Sequence, residues 1–249
     1  MSGVQDLRRY NARWHRWARF VAQRLVLAPV VRSVTKVTVE GGANLDGLDQ
    51  PFVVVTNHAS HLDAPLVVTS LPYRFTRSLA VAAAADYFYR RWWIKASTSL
   101  FFNSYPVHRT REDMGKSKAM SLRLIEAGIP VLIFPEGTRT RDGALKRFKP
   151  GAAALCVSQD VPCVPIAILG TRAAMPVGRF WPVPGRPAVT MLVGRPLHSR
   201  PGEKIRDFND RVEAAISAMM TMHTPYVLGD GRPADGHPDS TGQAQEEAS

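Results

Sequence analysis

Pro51-Phe-Val-Val-Val-Thr-Asn-His-Ala-Ser-His-Leu-Asp63 decides the reading of this chain. Phe52 to Val55 is short, β-branched and apolar on both faces, the pattern of a strand buried in a sheet covered by helices. The run ends on Asn57-His58, and Asp63-Ala-Pro65-Leu66 reads as a helix start with Asp63 near the N-cap and proline in the first turn. The intervening turn must therefore bring Asp63 back toward His58. A carboxylate bonded to one imidazole nitrogen fixes the tautomer and leaves the other nitrogen to take a proton, which makes a general base able to activate an alcohol.

Spacing alone does not single out this pair, because His108 and Asp113 repeat it. That second pair lies in a polar stretch with arginines at 109 and 111, preceded by a brief strand candidate at Tyr105 to Val107. A second buried strand candidate, Ile129-Pro-Val-Leu-Ile-Phe134, runs into Pro135-Glu136-Gly137-Thr138-Arg139-Thr140. Gly137 can adopt angles closed to other residues, and a tight loop of this kind can aim N–H groups and the Arg139 fork at one anion. An ordinary strand-to-helix turn with a solvated arginine fits the same residues.

Several ordered blocks together make the chain resemble the glycerophospholipid, or lysophosphatidate, acyltransferases. N-H-x-x-x-x-D is matched by Asn57, His58 and Asp63, and F-P-E-G-T-R-S by Phe134 through Arg139 with Thr140 in place of serine. An F-K-x-G-A element is matched by Phe148, Lys149, Gly151 and Ala152, and a strand flanked by prolines by Val161-Pro-Cys-Val-Pro-Ile166. The block usually written G-x-(I/F)-x-(V/I)-D-R reads Asn103-Ser-Tyr-Pro-Val-His-Arg109, with the glycine absent and the aspartate replaced by His108. The departure bears on acceptor preference more than on reaction type.

The resemblance implies an α/β fold, a single layered domain with a central mixed sheet flanked by helices. It implies that His58 is the general base on the acceptor hydroxyl and that Asp63 orients it. Arg109, Glu136, Gly137, Thr138 and Arg139 are then the set that binds acceptor phosphate and glycerol, with Lys149 a further cation. The acceptor is a lysophospholipid and the donor an acyl-CoA or acyl carrier protein thioester, which needs no metal or resident cofactor. The hydroxyl attacks the thioester directly. Arginine suits the phosphate because its planar fork makes two parallel charge-assisted bonds.

The 249 residues suffice for one large domain, and the net charge of +11 is unevenly held. The segment 226–249 carries Asp230, Asp235, Asp239, Glu246 and Glu247 against Arg232 alone, has little to bury, and reads as a disordered acidic tail after a catalytic domain at 36–225. In segment 1–35, Leu7, Tyr10, Trp14, Trp17, Val21 and Leu25 recur at helical spacing, while Arg8, Arg9, Arg13, Arg16, Arg19 and Arg24 fill much of the remaining surface. This predicts a basic amphipathic helix that docks on an anionic membrane surface, helped by the aromatic-basic cluster at 87–95; packing of the same stripe on the domain is the competing account. No apolar run reaches about 18 residues and none near Met1 resembles a secretory signal, so the expected location is cytoplasmic, peripheral on the inner face of the membrane. Cys156 and Cys163 lack metal-ligand spacing and read as buried free thiols.

Strands are expected near 36–40, 51–56, 78–83, 104–107, 129–135, 161–169 and 188–194, with helices between them, including 117–126 and one carrying Ile205, Phe208, Val212 and Ile216. A basic nucleic-acid-binding module would use the charge, but it leaves His58, Asp63 and Glu136 to Arg139 unexplained, and no nucleic-acid motif is present. A lipid-binding relative without catalysis conflicts with the intact His58 and Asp63. Acylation of another lysolipid, an amine-bearing lipid or a glycolipid remains an alternative to lysophosphatidate.

Overall fold

All seven expected strands form, and they join one sheet in the order β1-β7-β6-β2-β5-β3-β4. The computed structural model describes residues 7–49, 51–84, 98–107, 114–140 and 142–228. The strands are β1 (Lys36–Glu40), β2 (Val53–Thr56), β3 (Ala80–Ala84), β4 (Tyr105–Val107), β5 (Val131–Ile133), β6 (Cys163–Leu169) and β7 (Ala188–Val193). Pairing is parallel throughout except between β6 and β7, so the sheet is mixed. His108, Arg109, Asp113, the 87–95 cluster and the segment 229–249 lie outside the described residues.

Both faces of the sheet are covered, which is why its strands are apolar without alternation. Val53 and Val55 of β2, Val131 of β5 and Ala167 of β6 enter one core, with Phe208, Val212 and Ile216 of the C-terminal helix. Phe52, Val54, Leu132, Val164, Ile166 and Ile168 enter the other, against Leu66 and Val67. The helices are α1 (Arg8–Asn11), α2 (Arg13–Val21), α3 (Ala28–Val34), α4 (Asp63–Ser70), α5 (Tyr73–Thr76), α6 (Met114–Glu126), α7 (Gly151–Gln159), α8 (Thr171–Ala174) and α9 (Ile205–Leu228). α9 thus continues past 226, where the tail was expected to start.

β2 is the hinge of the topology. It pairs with β5 on one side and β6 on the other, both parallel to it, so the loops leaving the C-terminal ends of all three strands converge. Such a reversal of strand order opens a crevice for ligands.

The N-terminal segment departs from the expected single amphipathic helix. α1 and α2 are separated at Ala12, whose ψ of 137° is extended, and a π-helical stretch, Ala22–Leu27, intervenes before α3. These irregularities shift the phase of the stripe. Tyr10 is fully buried, whereas Trp14, Trp17 and Leu25 are 68%, 70% and 65% exposed. Arg19, expected on a solvated face, is 3% exposed. Its guanidinium donates to the carbonyl of Tyr10 at 2.8 Å and to Asn103 Oδ1 at 3.0 Å, and burial pushes its pKa down to about 10. Arg24 donates to the carbonyls of Thr69 and Leu71 at 2.7 and 2.6 Å, capping the end of α4. The arginines that were to meet lipid therefore divide between solvent and tertiary structure.

Asn103 explains the missing glycine of the second block. Its φ is 50°, in the left-handed region that glycine enters freely and asparagine tolerates. Its amide Nδ2 also donates to the carbonyl of Ser78 at 3.0 Å, so the turn is kept and gains a tertiary bond that glycine could not make.

Candidate active site

At the end of β2 the Asn57 carboxamide takes the place of a peptide group: Oδ1 accepts the N–H of Ile168 and Nδ2 donates to the carbonyl of the same residue, both at 2.8 Å. This continues the β2–β6 ladder one step and releases the chain into the next turn. There His58 Nδ1 lies 2.8 Å from Asp63 Oδ2. The same oxygen accepts the N–H groups of Ala59 and Ser60, both at 2.8 Å. Asp63 follows the N-cap residue Leu62 directly, as its expected place near the N-cap required, and its side chain caps no N–H of its own helix. It is the first residue of α4, and its carboxylate reaches backward to close the turn that carries His58.

Asp63 is fully buried, and a buried carboxylate must be bonded or neutralised. Its second oxygen accepts the hydroxyl proton of Thr171 at 2.7 Å. Ser60 Oγ donates to the carbonyl of Met175 at 2.8 Å, so α8 is tied to the turn on both sides. The imidazole side chain is 21% exposed and stacks on Phe134, ring centroids 4.1 Å apart. With Nδ1 held by Asp63, Nε2 is the ring nitrogen left for another partner.

The second loop is fastened to the first by Glu136. Its Oε1 accepts the N–H of His58 at 2.7 Å and its Oε2 the N–H of Lys146 at 3.2 Å, while Thr140 N–H donates to the carbonyl of His58 at 2.8 Å. Glu136 is 5% exposed, and burial raises its pKa against the opposing effect of the two N–H donors. Both oxygens thus face protein backbone, which makes this side chain a brace between the loops. Gly137 has φ 75°, and a Cβ there would lie 2.7 Å from Lys149 Nζ, so glycine permits both the left-handed step and the close ammonium. Lys146 Nζ donates to Thr138 Oγ1 and to the carbonyl of Arg139, each at 3.3 Å.

Arg139 Nη1 is buried with no hydrogen-bond partner, and such a donor calls for an explanation. His61 joins this neighbourhood: burial, then the Arg139 charge, then His58 push its pKa down to about 4, so it is neutral at physiological pH. His58, Asp63, Glu136, Gly137, Thr138, Arg139 and Lys149 are thus all carried by two loops that Glu136 and Thr140 join. Arg109 lies outside the described residues.

Thr171, Asn57, Lys146 and His61 belong to this network without having been assigned roles from sequence. Thr171 is 108 positions from Asp63, and its one legible signal is that it follows Gly170 at the end of an apolar run. Among the described residues no group of three His, Cys, Asp or Glu side chains could hold a metal ion.

A histidine–aspartate pair and a buried, unpartnered arginine nitrogen thus lie on loops at the strand ends of a mixed sheet. The chain belongs to the acyltransferase family, whose model matches residues 36–169. It is 30% identical over 171 residues to a chloroplastic 1-acyl-sn-glycerol-3-phosphate acyltransferase of Brassica napus, covering 68% of this chain and 46% of the relative. It is 31% identical over 201 residues to a 1-acyl-sn-glycerol-3-phosphate acyltransferase of Chlamydomonas reinhardtii, covering 78% and 55% respectively. The chain spans about half the length of these curated relatives. The crystal structure of the 1-acyl-sn-glycerophosphate (LPA) acyltransferase PlsC from Thermotoga maritima superposes with a TM-score of 0.67 at 22% identity, covering 87% of this chain and 86% of that one, and so shares its fold.

Proposed function

We propose that this protein moves a fatty acyl group from an acyl-CoA or acyl carrier protein thioester to the free hydroxyl of a lysophosphatidate-like acceptor in phospholipid synthesis. The observation that carries the reading is the pairing of the His58–Asp63 dyad with the unpartnered Arg139 donor on one loop assembly. His58 Nε2 takes the hydroxyl proton as the acceptor oxygen attacks the thioester carbonyl. The tetrahedral adduct expels the thiolate, to which the imidazolium returns the proton. No enzyme-bound acyl group forms. Such a positioned base contributes about 100- to 10,000-fold. Arg139 receives the acceptor phosphate, Lys149 and Lys146 add positive potential, and Arg109 is assigned to the same phosphate by sequence resemblance.

The names of the relatives support lysophosphatidate over other acceptors. No helix among the described residues is long and apolar enough to cross a membrane. Exposed Trp14 and Trp17 on α2 support peripheral docking on a membrane surface. The experiment is a panel of lysolipids offered with labelled acyl-CoA and acyl carrier protein, the product being identified by mass. Phosphatidate formation is expected; acylation of an uncharged glycolipid alone would overturn the acceptor assignment.

A further inference from the structure

The segment after α8 carries a second surface that the activity does not use. Its turn, Pro176 to Arg179, is closed by Arg179 N–H donating to the Pro176 carbonyl at 3.1 Å, with Gly178 at φ 97° supplying the left-handed step. Prolines at 176, 182, 184 and 187 restrict the backbone further, and Val183 N–H returns to the carbonyl of Ala174 at 2.8 Å. On this stiffened loop Phe180 is 82% exposed and Trp181 60% exposed, with Val177 beside them. A large aromatic pair held in water by a specified backbone marks a contact surface.

The charge of the segment itself has one sign. From 161 to 202 the sequence holds arginines at 172, 179, 186, 195 and 200 and no Asp or Glu. Position ties the loop to the rest of the machinery. At its root Thr171 and Met175 are bonded to Asp63 and Ser60, and a cleft of about 550 Å³ opens there between Arg172, Ala173, Pro176 and Val177. Arg186 at its far end donates to the carbonyl of Arg32 at 2.8 Å, joining it to α3, where Val30 is exposed.

We propose that the 176–181 loop is a membrane-contact element that inserts Phe180 and Trp181 into an anionic bilayer beside the active-site mouth, with Arg179 on the phosphate headgroups. Interfacial aromatics flanked by arginines fit that partner, the rings entering the headgroup boundary while the cations meet anionic lipid. The acidic surface of a protein would be met by the arginines and would leave the two rings without a role. Anchoring at this root would set the dyad facing the lipid layer, so that an insoluble acceptor enters the cleft without crossing water. The inference extends the proposed activity but does not need it, since binding is measured without substrate.

The test uses the full chain and vesicles of phosphatidylcholine with or without about one third phosphatidylglycerol, read by co-sedimentation. F180S/W181S is expected to lower partition onto anionic vesicles about tenfold and R179Q about threefold, the latter with a weaker salt dependence. Turnover of a short-chain, soluble lysophosphatidate should stay within twofold, which shows an intact fold. Partition of F180S/W181S within twofold of the parent overturns the proposal. If that variant misfolds, W181F decides: tryptophan quenching by lipids brominated on the acyl chain should drop relative to the parent, and equal quenching is the negative result. Vesicle binding lost with turnover intact, or turnover absent with binding intact, separates this inference from the acyltransferase reading.

Discussion

Asp63→Asn tests the site at its most constrained point. The carboxylate is fully buried and accepts four bonds, from His58 Nδ1, the N–H groups of Ala59 and Ser60, and Thr171 Oγ1. An asparagine of the same shape can keep its carbonyl oxygen toward His58, Ala59 and Ser60 and turn its amide toward the Thr171 hydroxyl, which can accept. The turn therefore survives, and what is lost is the negative charge opposite the imidazolium that forms in the transition state. Unit charges about 4 Å apart interact by about 4 kcal/mol at an effective dielectric near 20. Losing about 3–4 kcal/mol of transition-state stabilisation corresponds to a fall in kcat of about 100- to 1,000-fold. The assay is thiol release from acyl-CoA with lysophosphatidate, at a temperature where the variant's melting curve shows it folded. His58→Ala sets the floor. Asp63→Asn within threefold of the parent would refute the orienting and stabilising role. Thr171→Val supplies a graded control: it removes the donor to Asp63 Oδ1 and should cost about 1–3 kcal/mol of stability with a smaller effect on rate.

Arg139→Lys should raise the acceptor KM about tenfold and leave the donor KM within twofold, because an ammonium cannot supply the planar fork; a change confined to the donor would reassign the residue. His61→Asn addresses pH dependence. The folded pKa of His61 is pushed down to about 4 from an ordinary 6.5, so between those values the unfolded chain binds the proton and the folded protein does not. The parent should therefore lose stability as pH falls from about 6.5 to about 4, and His61→Asn should flatten that loss by about 1–2 kcal/mol after allowance for solvent screening, read as melting temperature against pH. Arg19→Met should destabilise by about 3 kcal/mol, because Asn103 Oδ1 and the Tyr10 carbonyl lose their guanidinium donor in a buried setting; chemical denaturation measures it, and a neutral result would mean that the N-terminal helices are not bound as described.

The chain's linear order was enough for the strands and for the turn from His58 to Asp63. Phe52 to Val55 and Cys163 to Leu169 are apolar on both faces because alternate side chains enter different cores, and that pattern is local. The turn from His58 to Asp63 is also local, six residues of which Ala59 and Ser60 hold the carboxylate with their backbone N–H groups, so residue types and spacing were sufficient. The N-terminal segment was legible as helical but not in which face it buries. Its spacing places Trp14 and Trp17 on the same stripe as Tyr10, yet the break at Ala12 and the π-helical stretch change the phase, and the buried position went to Arg19 because the nearby Tyr10 carbonyl and two acceptors from distant elements, Asn103 Oδ1 and the Arg77 carbonyl, were there to receive it. What sequence could not reach were partnerships between elements that become neighbours through the order β6-β2-β5: Thr171 with Asp63, Asn57 with Ile168, Glu136 with the backbone of His58. Hydrogen bonds are short-ranged and leave no periodic trace along a chain. Which polar group completes a buried carboxylate is decided by where the sheet brings the strand ends together, so the contact between His58 and Asp63 could be read from residues 51 to 63 while the support that holds it had to be found in space.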